Sequence, residues 1–185
     1  MYSSIDDSRM IIPQCHALQP VSVEYKNEWF CVKNRGGYYT VETEYPQVCV
    51  LPIVDDHSIV LVHVKRPVII DNPLEIPCGA MKRSEMPVDA ATRELQEETG
   101  INIQDLYRFQ QQFPLSHSST RKPTLEYIYQ VHISQKEFGS RGSFDNEIDG
   151  IECVSFEDVK HKIIHGEIYV GLSVAILSRF LLSRG

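Results

Sequence analysis

The chain has 185 residues, of which 42% are apolar and 23% charged, the make-up of a soluble folded protein with one core and room for an appended element. Its formal net charge of −7 excludes a protein that grips nucleic-acid backbones, a task that needs clustered Lys and Arg. The five cysteines (Cys15, Cys31, Cys49, Cys78, Cys153) are odd in number and never spaced as a CxxC pair, so reduced thiols in a cytoplasmic protein are expected, not a disulfide framework or a zinc site.

Residues 1–20 are polar-mixed and interrupted by Pro13 and Pro20, without the basic-then-apolar layout of a secretory signal, and read as a loosely held lead-in. Strands are predicted over 21–25 and 29–33 around a Lys26-Asn27-Glu28 turn, and over 38–44 after Arg35-Gly36-Gly37. This unit has too little chain to fold alone and must pack on its own domain or on a second copy. Trp29, the lone tryptophan, reads as a core or interface anchor or, functionally, as a stacking face for a base. Two near-continuous apolar runs, 48–54 and 59–64, joined by Asp55-Asp56-His57-Ser58, predict a central hairpin, which Lys65-Arg66-Pro67 ends.

The stretch 79–101, GAMKRSEMPVDAATRELQEETGI, carries the chemistry. Met86 and Pro87 suit a helix start and Gly100 its stop. At helical spacing Glu94, Glu97 and Glu98 share one arc, with Val88, Ala91, Leu95 and Thr99 on an adjacent arc that can pack on a core. Arg93 stands beside the acids, where it can brace them. Like charges one turn apart repel, and the pattern reads either as a solvated acidic face or as a cage for a hard cation such as Mg2+, which favours carboxylate oxygens.

Beyond the helix, strands are predicted over 102–113 and 124–133, the second alternating through Leu125, Tyr127, Tyr129 and Val131, with a polar loop over 114–123 between them. A flexible loop over 138–143 leads to Asp145-Asn146-Glu147 and a strand over 151–155. Closing helices follow over 156–165 and 169–182, separated by Gly166. The apolar tail is too short to span a bilayer and is broken by Arg179. His161 and His165 lie one turn apart without a third ligand and read as a surface pair.

Gly79, Glu85, Arg93-Glu94-Leu95, Glu97-Glu98 and Gly100-Ile101 match the signature of the Nudix hydrolases at each fixed position. The approach Glu75-Ile76-Pro77-Cys78-Gly79 resembles the Glu-x-Pro-x-Gly of the ADP-ribose pyrophosphatase, or nucleoside diphosphate sugar hydrolase, branch. The resemblance covers this box directly and the chain from about Val48 onward more loosely. It implies an α/β fold, an α/β/α sandwich with a mixed sheet over 47–185, preceded by the antiparallel β-unit of 1–46, a dimerisation element in that branch. A homodimer is therefore expected.

The implied activity is metal-dependent hydrolysis of the pyrophosphate bond of a nucleoside diphosphate derivative, ADP-ribose or another nucleotide sugar first. Dinucleoside polyphosphates, NADH or nucleoside triphosphates are the alternative substrates, and a non-catalytic nucleotide-binding regulatory module is the alternative of another class. Glu94, Glu97 and Glu98, with the Cys78 carbonyl, would hold Mg2+ or Mn2+. Glu147, or Asp145, would add a ligand or act as general base, and Glu85 and Arg93 would support the helix carboxylates. Arg66 and Glu75 would meet substrate, although Arg66 reads equally as a solvated strand-end charge. Pro114 matches a downstream proline of the branch but lacks the glycine that usually follows it closely.

Overall fold

The computed structural model describes residues 7–10 and 15–184, so the expected lead-in lies partly outside the described residues. The two apolar runs form the central hairpin, β4 (Gln47–Val54) and β5 (Ser58–Val64), closed by Asp55 and Asp56 at φ 46° and 59°. Short acidic side chains tolerate this left-handed turn, the geometry that a tight hairpin needs. The two strands pair only near the turn, at Ile53↔Ile59 and Val54↔Ser58, and then splay. Into the opening runs the segment after the hairpin, as β6 (Leu74–Glu75) paired with β5 and β7 (Cys78–Ala80) paired with β4.

The sheet is completed by β8 (Phe109–Ser116), β9 (Leu125–Ile133) and β10 (Ile148–Ser155), in the order β10-β5-β4-β9-β8. It is mixed, since β4 and β9 run parallel, Val48 opposite Tyr127, while the other pairs are antiparallel. One face carries α1 (Pro87–Thr99), where Val88, Ala91 and Leu95 pack on Val48, Val50 and Tyr129. The other carries α3 (Phe156–Ile164) and α4 (Gly171–Ser183), where Val159, Ile176 and Leu177 meet Leu51, Ile53 and Ile128. The expected α/β/α sandwich is therefore the fold. The central strands read as unbroken apolar runs because both of their faces are covered.

The N-terminal unit is a separate antiparallel sheet, β1 (Val21–Lys26), β2 (Cys31–Arg35) and β3 (Tyr38–Glu42). Polar groups fill its covered face: Glu42 accepts from Arg35 at 2.7 and 3.0 Å, from Lys33 at 2.8 Å and from Thr40 at 2.7 Å. It joins the larger sheet's strand connection where Val41 N–H donates to the Arg121 carbonyl at 2.8 Å.

Three local expectations are corrected. Trp29 lies in a turn, not a strand, because the Asn27 side chain accepts from the N–H groups of Trp29 and Phe30, both at 2.8 Å. The strand expected over 102–113 begins only at Phe109, since Asp105 caps a single 3-10 turn, Leu106–Arg108, and the strand then runs through Pro114 past a register shift. The loop expected over 138–143 is entered by a short helix, α2 (Gln135–Gly139), whose Ser134 and Glu137 form a capping box. Among the described residues no helix is long and apolar enough to cross a membrane.

Candidate active site

Helix α1 begins and ends as expected, with Pro87 in its first turn and Gly100 past its last at φ 70°. Two glycines hold it, one against Glu94 in its middle and one just past its end. A Cβ on Gly79 would lie 2.2 Å from the Glu94 carboxylate, so only glycine leaves the space that this acid fills. A Cβ on Gly100 would meet the Gly142 carbonyl at 2.3 Å, and Gly142 N–H donates to the Gly100 carbonyl at 2.8 Å. That contact seats residues 142–147 against the helix.

Arg93 gathers the acids as its position suggested. It binds Glu85 at 2.8 and 3.0 Å, Glu94 at 2.6 Å, Glu97 at 2.8 Å and the Ala80 carbonyl at 3.0 Å. Lys82 adds a longer contact to Glu97 at 3.4 Å. Burial pushes the Glu94 carboxyl up and Arg93 pulls it part of the way back, whereas Arg93 holds Glu85 below the usual carboxylate range.

Glu98 is turned the other way. Its carboxylate accepts from the Cys78 backbone N–H at 3.1 Å. Burial drives its pKa up to about 8, with Glu94 and Glu75 adding to the rise and the Cys78 N–H and Arg66 opposing it. The N–H is free for this because Cys78 lies opposite Cys49 at a position without mutual backbone bonds, while Val50 N–H donates to the Pro77 carbonyl at 2.8 Å. Strand geometry turns the carbonyl of Cys78 to the same side as its N–H.

Arg66 and Glu75, read separately in the sequence, are a bidentate pair at 2.8 and 3.1 Å. Glu75 is buried and the Arg66 side chain stays 43% exposed, so the guanidinium is anchored yet open to a ligand. Arg66 N–H closes its own loop on the Asp71 carbonyl at 2.9 Å, and the Tyr169 hydroxyl donates to the Asp71 carboxylate. The loop of Asp145 and Glu147 arrives through its backbone, Asp145 N–H to the Glu97 carbonyl at 2.8 Å and Lys65 N–H to the Glu147 carbonyl at 2.9 Å. Both acidic side chains are exposed. A cleft of about 610 Å³ beside Asp145 is lined by Arg93, Glu97 and Phe144 as well.

Trp29 stands apart, 74% exposed in a cleft of the N-terminal sheet lined by residues of the first three strands and their turns. The sequence reading missed Glu126, fully buried on β9, which accepts from Lys122 Nζ at 2.7 Å and from Gln47 N–H at 3.0 Å. An acid alternating with apolar residues looks solvent-facing, and the only signal was the Lys122–Glu126 spacing. It also missed the contact of Cys49 with Cys78.

The donor set suits a hard divalent cation: carboxylates and a backbone carbonyl, with Glu98 half-buried and short of positive charge. Among the described residues, however, no three His, Cys, Asp or Glu side chains converge on one point. Arg93 draws Glu94 and Glu97 to itself, and Glu98 faces Cys78.

Residues 43–171 match the NUDIX domain. The chain belongs to the Nudix family. As a Nudix pyrophosphohydrolase it falls in a family that generally uses divalent metal ions. Among solved structures this Nudix chain is similar to a crystal structure of an ADP compounds hydrolase, with a TM-score of 0.65, 20% identity, and coverage of 89% of this chain and 90% of that one. At that identity the likeness concerns the fold. No curated protein matches the chain.

Proposed function

We propose that this Nudix protein hydrolyses the pyrophosphate bond of a nucleoside diphosphate derivative, ADP-ribose or another nucleotide sugar, releasing a nucleoside monophosphate and a sugar phosphate. The observation that carries this reading is Glu98: a half-buried carboxylate, its pKa raised to about 8, that meets one backbone N–H and lies within the influence of Glu94, Glu75 and Arg66. Such a group is short of a cation, and a diphosphate is the substrate class whose charge a cation shared with the protein would balance.

Glu94, Glu97, Glu98 and the Cys78 carbonyl would hold Mg2+ or Mn2+, and the ion would supply Lewis acidity toward the diphosphate and the attacking water. Arg66, steadied by Glu75, would offer its remaining donors to a phosphate oxygen. Glu147 or Asp145, both exposed, Asp145 held to α1 through its backbone and Glu147 to Lys65, would accept the proton of that water. Glu85, through Arg93, would keep the helix acids in place. The supporting fold likeness, to an ADP compounds hydrolase, is consistent with a substrate of this kind.

The unit over 1–46 is the proposed dimerisation element and 47–185 the catalytic domain. Tyr25, Tyr39 and Val41 are exposed on one face of the small sheet, a surface that a second copy of this chain would cover, with Trp29 in the β1–β2 turn as an interface anchor or a base-stacking face. All five cysteines are free thiols, which supports a cytoplasmic location.

The test is incubation with ADP-ribose, nucleotide sugars, NADH, dinucleoside polyphosphates and nucleoside triphosphates in the presence of Mg2+ or Mn2+, with products identified by mass. Steady release of a nucleoside monophosphate from a nucleotide sugar supports the proposal. Turnover confined to triphosphates overturns the substrate, and binding without product overturns the chemistry in favour of a regulatory module.

A further inference from the structure

The Sγ atoms of Cys49 and Cys78 lie 2.9 Å apart, closer than unbonded sulfurs ordinarily pack, and both are free thiols. They face one another across the β4–β7 ladder. At an antiparallel position without mutual backbone bonds, Cα atoms approach to about 4.5 Å, which falls within the roughly 4.4–6.8 Å that a disulfide spans. Cys78 is half-buried and Cys49 enclosed, so Cys78 is the more accessible of the two and Cys49 is placed to resolve it.

We propose that Cys49 and Cys78 are a modification site, forming a reversible disulfide that slows the adjacent carboxylate site. For its activity readout this rests on the function proposed above. The oxidant is hydrogen peroxide. The Cys78 sulfur attacks a peroxide oxygen and becomes a sulfenic acid as the first water leaves. The Cys49 sulfur then displaces that hydroxyl, the S–S bond forms, and the second water carries off the remaining thiol proton. Two electrons pass from the sulfurs to the peroxide, and a dithiol reductant returns them.

The link to the site is β7 itself. A disulfide needs its sulfurs about 2.05 Å apart, so oxidation draws β7 onto β4 by a fraction of an ångström. Two contacts ride on that strand: the Cys78 N–H held by Glu98 and the close approach of Gly79 to Glu94. Displacement of catalytic groups on this scale costs tenfold to about 100-fold in rate.

The experiment treats the full chain with hydrogen peroxide, alkylates the remaining thiols, and maps peptides without reduction. The expected result is a peptide pair joined through Cys49 and Cys78, a fall in hydrolysis of about tenfold, and recovery with dithiothreitol. Cys49→Ala keeps the basal rate and becomes insensitive to peroxide, while Cys153→Ala stays sensitive. If Cys49→Ala does not fold, Cys49→Val serves. Recovery of Cys49 and Cys78 as alkylated thiols while exposed Cys153 is consumed overturns the proposal. So does a disulfide that forms and leaves both the rate and Mn2+ affinity unchanged. Should the chain hydrolyse nothing, peptide mapping and Mn2+ binding followed by electron paramagnetic resonance still decide the matter, so the two failures are distinguishable.

Discussion

The backbone N–H of Cys78 donates to the Glu98 carboxylate at 3.1 Å, joining the strand before the glycine turn to the last acid of the helix that follows it. The helix acids are thereby sorted: Glu94 and Glu97 answer to Arg93, and Glu98 answers to the sheet.

That sorting sets the first expectation. Glu97→Gln and Glu98→Gln should each lower the rate of nucleotide-sugar hydrolysis by about 100-fold or more, the scale of a lost ligand or electrostatic group. Steady-state assays over a range of Mg2+ check this, and wild-type rates in both variants would remove the ligand assignment.

Metal should also be visible without turnover. An ion that binds only the folded chain adds about 2.7 kcal/mol at a hundredfold excess over its Kd, worth roughly 5–10 °C in Tm for a chain of this length. Glu98→Gln should raise the metal-free Tm, because a neutral amide is spared the cost of burial that lifts the carboxyl's pKa, and should lose most of the shift. Differential scanning calorimetry with and without Mg2+ separates the two effects.

Gly79 and Gly100 should fail differently. In Gly79→Ala the new Cβ displaces only the flexible end of Glu94, so Tm should hold while activity falls at least about tenfold. In Gly100→Ala the Cβ meets the Gly142 backbone at 2.3 Å and φ is 70°, so stability should drop by more than about 1 kcal/mol. Denaturant midpoints and rates, measured together, test the contrast.

Acid should loosen the small sheet before the large one. Burial alone would raise the Glu42 pKa, but Arg35, Lys33 and Thr40 outweigh it and hold the carboxylate at about 2 against an ordinary 4.5. A depressed folded-state pKa contributes stability that is full above about pH 4.5 and is lost as pH falls toward 2, here about 3 kcal/mol. Hydrogen exchange of amides in β1–β3 should accelerate through that window, and in Glu42→Gln the acceleration should be absent.

If the exposed apolar face of that sheet meets a second copy, Tyr39→Glu with Val41→Glu should turn a dimer into a monomer in light scattering. A wild-type monomer would end the dimer proposal.

Much of this was legible in the residues. Pro87, Gly100 and the 94/97/98 spacing set the bounds and acidic face of α1, and the apolar runs set the central hairpin, because each rests on local backbone preference or periodicity. The pairings that matter most at the site were not legible. Arg66 with Glu75 and Cys49 with Cys78 depend on β6 and β7 running into the splayed hairpin, and strands of two or three residues carry no period. Glu126 hid for another reason: β9 is covered on both faces, so a buried acid occupies the place where alternation puts a solvated one.

The parallel pairing of β4 with β9 brings Gln47 beside Glu126, 79 positions further along the chain. Closing so long a loop is entropically expensive and slow. As the chain emerges from the ribosome, the acidic helix is therefore finished well before the platform that anchors it, and the young polypeptide cannot turn over substrate. Competence should arrive late and all at once, together with the final docking of the sheet.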